Sequence, residues 1–155
     1  MLRLPSADAV VRMVSNLVGT KLTIVQQTVD DSALTICGLY SSGDTQNAAA
    51  CLMDVPFGAY AGAALSMMPS DVASEYVKKG KLEEDILDNC AEVLNVVSRL
   101  FASSDAHRVT LATKSFGPDP LPDVAATLLA KGSRLALKLN IERYGAGSIV
   151  LVVPA

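Results

Sequence analysis

Apolar positions along the chain fall into blocks with two kinds of spacing. In the first block Val10, Val11, Val14 and Leu17 recur at helical intervals behind Ser6 and Asp8, and the run stops at Gly19. Ser and Asp open helices and Gly closes them, so the spacing predicts a helix from Ser6 to Gly19. Thr20–Val29 then carries Leu22, Ile24 and Val25 among β-branched neighbours and reads as a strand. The polar clusters Asp30–Ser32 and Ser41–Thr45, the second with Gly43, read as turns beside strands at Ala33–Tyr40 and Gln46–Val55. The first half is therefore expected to be a helix followed by a meander of these three strands.

Phe57–Met68 is rich in Ala and Gly, and its small apolar residues suit a helix pressed closely against a sheet. Pro69, Ser70 and Asp71 start the next helix, which Gly80 stops. Lys81–Ser104 is the longest helical pattern. A strand at Arg108–Phe116, a Pro-rich turn and a short helix at Pro122–Lys131 follow. Strands at Ser133–Tyr144 and Ser148–Val153 close the chain, joined by a turn at Gly145–Gly147. The expected class is α+β, one mixed, largely antiparallel sheet with packed helices, in a single domain spanning residues 1–155.

Composition removes several function classes. Half of the 155 residues are apolar and 19% are charged, which argues against disorder. The net charge is −3, and no Lys/Arg stripe with interleaved aromatics is present. Neither nucleic acid nor an anionic membrane surface is an expected partner. Cys37, Cys51 and Cys90 are an odd number at wide spacing without a C-x-x-C pair, and read as small buried hydrophobes in a reducing compartment. The single histidine, His107, would have to carry a metal cage or a Ser-His-Asp triad by itself, and no catalytic role is assigned to it. Arg3 and Pro5 interrupt the start of the chain where a signal peptide would need an apolar run. Asp54 and Pro56 break the richest apolar stretch, Ala48–Met68, so it does not read as a membrane span. A cytoplasmic location is expected.

The long helical pattern is the informative segment. At about 100° per residue, Asp88, Glu92, Asn95 and Arg99 form one narrow polar stripe. Ile86, Cys90, Val93, Leu94, Val97 and Phe101 fall on roughly the opposite side. Periodicity by itself makes this stripe no more than the solvated face of an amphipathic helix. Its spacing adds something further. Asp88 is followed by three residues and Glu92, then two residues and Asn95, then twenty-two residues and Pro118. This resembles the Asp/Ser-x3-Glu-x2-Asn-x22-Pro signature of the CheC/CheX/FliY chemotaxis phosphatases, with all four positions matched. Average residue usage yields such a match by chance on the order of a few times in a thousand chains of this length. The element order resembles the family over most of the chain, and the length suits the compact CheX type without the extra C-terminal domain of FliY.

Members of the CheC type carry two such helices related by an internal pseudo-repeat. The opening helix is the counterpart here and offers Asn16, but Met13 and Ala9 stand where the acidic positions would be, so one site per chain is expected. A second departure is Arg99, one turn past Asn95, where the family is expected to carry small residues. A bulky cation there either crowds a partner or helps to neutralise a phosphoryl group.

The resemblance implies a phosphoaspartyl-protein phosphatase acting on a phosphorylated response regulator, a CheY-like receiver domain, in chemotaxis or a related two-component pathway. Asn95 would position water in line with phosphorus, since a neutral carboxamide both donates and accepts without repelling the anion. Glu92 would pair with the regulator's active-site lysine. Asp88 would assist orientation or solvation, and Pro118 would shape the turn beside the helix. No cofactor is expected on this chain, whose signature contains no metal-ligand set; Mg²⁺ would sit on the phosphorylated partner. The resemblance also implies a homodimer built through sheet edges. From a different class comes the alternative of a binding module that docks a response regulator or another chemotaxis partner with little or no turnover.

Overall fold

The structure, a computed structural model, describes residues 2–103 and 108–155. A two-residue strand β1 (Leu2–Arg3) leads into helix α1 (Ala7–Val18). The Ser6 hydroxyl accepts from the Ala9 N–H at 3.1 Å and Gly19 closes the helix at φ 74°, as the capping residues predict. Then come β2 (Leu22–Gln26), β3 (Leu34–Ser42), β4 (Thr45–Asp54), α2 (Val55–Leu65), α3 (Ser70–Lys79) and α4 (Glu84–Val97). The chain finishes with β5 (Ala102–Ser103), β6 (Val109–Ser115), α5 (Asp123–Lys131), β7 (Ser133–Ile141) and β8 (Gly145–Val153). His107 and Ser104 lie outside the described residues.

One six-stranded sheet, in the order β2-β7-β8-β4-β3-β6, organises the fold, and β1 pairs separately with β5. The class is α+β as expected. Among the described residues every pairing is antiparallel, so the sheet is not mixed. The expected meander also fails. β3 and β4 form a hairpin, but β2 crosses to the far edge and pairs with β7, Leu22 opposite Ile141. Leu22 is the one buried residue of β2, so the strand carries little pattern to select its neighbour. β6 takes the place beside β3 that the meander would have given to β2.

Helices α1, α2 and α4 cover one face of the sheet, over Ile36, Tyr40, Cys51, Met53, Leu137, Leu139 and Leu151. Among the described residues α5 packs on the other, over Cys37, Leu39, Ala50, Leu52, Val150 and Val152. The central strands β4 and β8 therefore bury both faces, which is why their apolar runs are continuous and lack alternation. All three cysteines are buried. Burial pushes the Cys37 and Cys90 thiols up to about 12 and Cys51 upward too, so they behave as small hydrophobes. No helix of the described residues is long and apolar enough to cross a membrane.

The Ala/Gly-rich helix is pressed as closely as its residues predict. The buried Asp54 carboxylate caps α2, accepting from the Phe57 N–H at 2.8 Å, and also accepts from the Ser148 N–H of β8 at 2.9 Å. Its pKa is raised by burial, against which these bonds pull. A Cβ on Gly147 would run into the Phe57 backbone. On the other side of α2, a Cβ on Gly62 would meet Ile86 Cγ1 of α4 at 2.8 Å. Two boundaries differ from expectation: α4 spans Glu84–Val97 and passes into a 3-10 turn at Ser98–Leu100, and the last hairpin turns at residues 142–144, with Gly145–Gly147 already in β8.

Gly147→Ala should therefore destabilise the protein by about 3 kcal/mol or more through overpacking. Gly80→Ala, where a Cβ meets nothing within 4 Å and only φ 67° is unfavourable, should cost about 1 kcal/mol. Urea denaturation of the two variants measures the difference.

Candidate functional site

Helix α4 carries the candidate site, and its own sequence explains why it forms and how it sits. Glu84 and Asp85 in the first turn complement the helix dipole. The Tyr76 hydroxyl of α3 donates to Asp85 at 2.6 Å, and burial, with this bond and the Asp85 charge, raises the phenol to about 12. One turn on, Asn89 Nδ2 donates to the Gly62 carbonyl at 2.9 Å and to Ser66 Oγ at 2.8 Å, fastening the middle of α4 to α2. Ile86, Cys90, Val93, Leu94 and Val97 are buried. Asp88, Glu92 and Asn95 are exposed on the opposite side, as the stripe predicts, and span about 10 Å of helix axis.

The end of α4 is held tightly. The last carbonyls of a helix have no partners within it. Here the Tyr40 hydroxyl of β3 crosses the core and donates to the Leu94 carbonyl at 2.6 Å, while Ser98 Oγ donates to the Asn95 carbonyl at 2.6 Å. The Tyr40 ring leans on Phe101 at 5.3 Å between centroids. A Cβ on Gly38 would meet Leu94 Cδ2 at 3.2 Å and the Tyr40 hydroxyl at 3.3 Å, so this glycine lets helix and strand approach. The backbone under Asn95 is thus fixed from two sides while its carboxamide faces solvent, the preorganisation a positioning group needs.

The structure keeps Arg99 beside Asn95 and places Pro118 away from it. Arg99 lies beyond the end of α4, in the 3-10 turn. It lines a groove of about 310 Å³ together with Asn95, Ser98, Phe101, Arg108 and the start of β6 at Val109–Leu111. Pro118 follows the other end of β6, after Gly117, which lies near Thr35. It is exposed and does not line the groove at Asn95. Charge along the face therefore runs from acidic at Glu84, Asp88 and Glu92, through neutral Asn95, to cationic at Arg99 and Arg108. Among the described residues no group of three or more His, Cys, Asp or Glu side chains could hold a metal ion.

On α1, Asn16 is exposed two residues before the helix ends, as Asn95 is on α4. Half-buried Ala9 and Met13 stand where α4 has Asp88 and Glu92. The sheet repeats this relation, since β2 flanks β7 on one edge and β6 flanks β3 on the other. Sequence reasoning missed Tyr40 and Arg108. Both reach α4 through strand pairing and packing distant in sequence, and no local pattern announces either.

No protein-family model matches the chain, and no curated protein matches it in sequence. Solved structures do. FliY from Thermotoga maritima matches with TM-score 0.55 at 9% identity, over 94% of this chain and 82% of that one. The matched chain of the FliG–FliM complex from H. pylori gives 0.55 at 12% identity, over 96% and 86%. The FliM middle domain from H. pylori gives 0.51 at 14% identity, over 96% and 84%. The fold is that of FliY and the FliM middle domain, in agreement with the resemblance read from the signature, whose family includes FliY.

The packing around α4 yields a stability ranking. Leu94→Ala should cost about 2–5 kcal/mol. Tyr40→Phe should cost about 1–3 kcal/mol by leaving the buried Leu94 carbonyl unpaired. Asn95→Ala, on the exposed face, should stay within about 0.5 kcal/mol. Chemical denaturation of the three variants checks the order.

Proposed function

We propose that the chain is a phosphatase for the aspartyl phosphate of a response regulator's receiver domain. The observation that carries the reading is the in-line exposure of Asp88, Glu92 and Asn95 on one helix whose end is fixed by Tyr40 and Ser98. The signature spacing of these residues with Pro118, on a fold of the matching type, supports it.

An acyl phosphate is already reactive, and the regulator brings its own Mg²⁺ and lysine. The chain has then to place a water molecule opposite the leaving carboxylate. The Asn95 carboxamide accepts from that water and donates to the phosphoryl oxygens. The water oxygen bonds to phosphorus, the bond from phosphorus to the aspartyl oxygen breaks, the aspartate leaves as carboxylate, and the water's proton passes to solvent. Glu92, one turn before Asn95, meets the regulator's lysine and fixes how deeply the helix enters. Asp88 helps to orient the same face. The chain itself contributes no metal.

A second reading has its own support. One matched chain comes from a FliG–FliM complex, and α1 lacks the acidic positions that would make a second site. In this reading the α4 face docks a chemotaxis partner without turnover.

Phosphate release from a panel of phosphorylated receiver domains separates the two. Asn95→Ala should lose most of the activity and keep regulator binding, because the carboxamide acts in the transition state. Glu92→Ala should weaken binding in a salt-dependent way. Equal turnover by Asn95→Ala and the parent would remove the phosphatase reading. The homodimer belongs to the same proposal: β2 is an edge strand with Ile24 and Val25 exposed at 41% and 53%. Light scattering at micromolar concentration should give twice the chain mass, and a monomer mass contradicts it.

A further inference from the structure

The groove beside Asn95 contains more than the signature requires. Arg99 reaches it from the 3-10 turn that follows α4, and Arg108 from the approach to β6. These residues are nine positions apart in sequence and come together because the turn packs against β6. Both guanidinium-bearing residues are exposed, as are Asn95 and Thr110, which line the same groove. Its floor is buried Phe101 and Ser98, and the Ser98 hydroxyl is committed to the Asn95 carbonyl.

We propose that Arg99 and Arg108 form a two-guanidinium subsite that receives the phosphoryl oxygens next to Asn95. The inference rests on the phosphatase reading for the source of the phosphoryl group, but the subsite itself is a property of this chain's own residues. Guanidinium is cationic at every physiological pH and presents planar donors that match tetrahedral oxyanions. A groove of about 310 Å³ has room for one such group with its water. The stripe's order fits this use. Glu92 is unsuited to touch phosphate, and it precedes Asn95 by nearly one turn, whereas both arginines line the groove on the far side of Asn95 in sequence. A partner whose lysine meets Glu92 thus has its phosphoryl group directed toward the cationic end. Charge that spreads over the equatorial oxygens as the phosphorus–oxygen bond breaks is then stabilised from this chain as well as from the partner's Mg²⁺. On this account Arg99 is no obstacle to docking but a contributor to binding the reacting group.

The test separates the subsite from the enzyme assignment. Isotope-labelled chain is titrated with inorganic phosphate, and with acetate as a carboxylate control, at constant ionic strength, and amide shifts are followed by NMR. The expected result is saturable shifts at Asn95, Arg99 and Thr110 with phosphate and much smaller ones with acetate. The double variant Arg99→Ala/Arg108→Ala should bind phosphate about tenfold more weakly or worse, the scale of losing charge-assisted contacts. Equal response to acetate, shifts that do not saturate, or an unchanged affinity in the double variant would overturn the proposal. The single variants Arg99→Lys and Arg108→Lys, which keep charge but lose the planar fork, should fall between. With a phosphorylated receiver domain, Arg99→Ala should lower the rate of phosphate release while leaving affinity for the unphosphorylated domain unchanged. A loss of affinity for both forms alike would assign the arginines to general docking and overturn their phosphoryl role. If Asn95→Ala left turnover intact, the phosphatase reading would fall, yet the phosphate titration would still decide the subsite.

Discussion

The hydrogen bond from Tyr40 to the Leu94 carbonyl, 2.6 Å long and buried, is the contact on which the arrangement around the site depends. It joins β3 to the last turn of α4 across the core, where no water is available to take the carbonyl instead. An unmade bond there would cost more than an ordinary one contributes. The close approach that allows it comes from small residues: Gly38 under Leu94, and Gly58 and Gly62 on α2 against Cys90 and Ile86. The helix is thereby fixed in depth and rotation, and the exposed stripe follows from what the buried face must do.

This division of labour explains why the polar face is free to specialise. Every strong tether of α4 among the described residues uses a buried group, a backbone carbonyl or a residue off the stripe, such as Asn89 to Gly62 and Ser66 or Asp85 to Tyr76. Asp88, Glu92 and Asn95 are spared from holding the fold. Their order along the axis, with the arginines beyond, gives the face a charge gradient that a partner with a lysine next to an anionic group would complement.

Much of this was legible in the chain. Ser6 and Gly19 marked the ends of α1, Gly80 closed α3, and the period of Cys90, Val93, Leu94 and Val97 fixed which side of α4 faces inward and hence which side faces out. The pairing of β2 was not legible, because a strand with Leu22 as its single buried residue carries too little pattern to choose between β3 and β7. Nor was the end of α4: Ser98 and Arg99 are compatible with a continuing helix, and no local residue marks the switch to a 3-10 turn, after which Phe101 packs against Tyr40. The placement of Arg108 beside Asn95 depends on β6 joining the outer edge of β3, a contact between segments far apart in sequence. Pro118 shows the converse: its spacing belongs to the signature, yet it lies away from the groove.

The central claim is that the outward face of α4 is where this chain meets a phosphorylated receiver domain. Amide hydrogen exchange of the chain, with and without such a domain in its phosphorylated and unphosphorylated forms, tests it directly. The account predicts protection concentrated on residues 88–99 and on the start of β6, stronger with the phosphorylated form. Protection confined to β2 or to α5, or equal for the two forms, would contradict it.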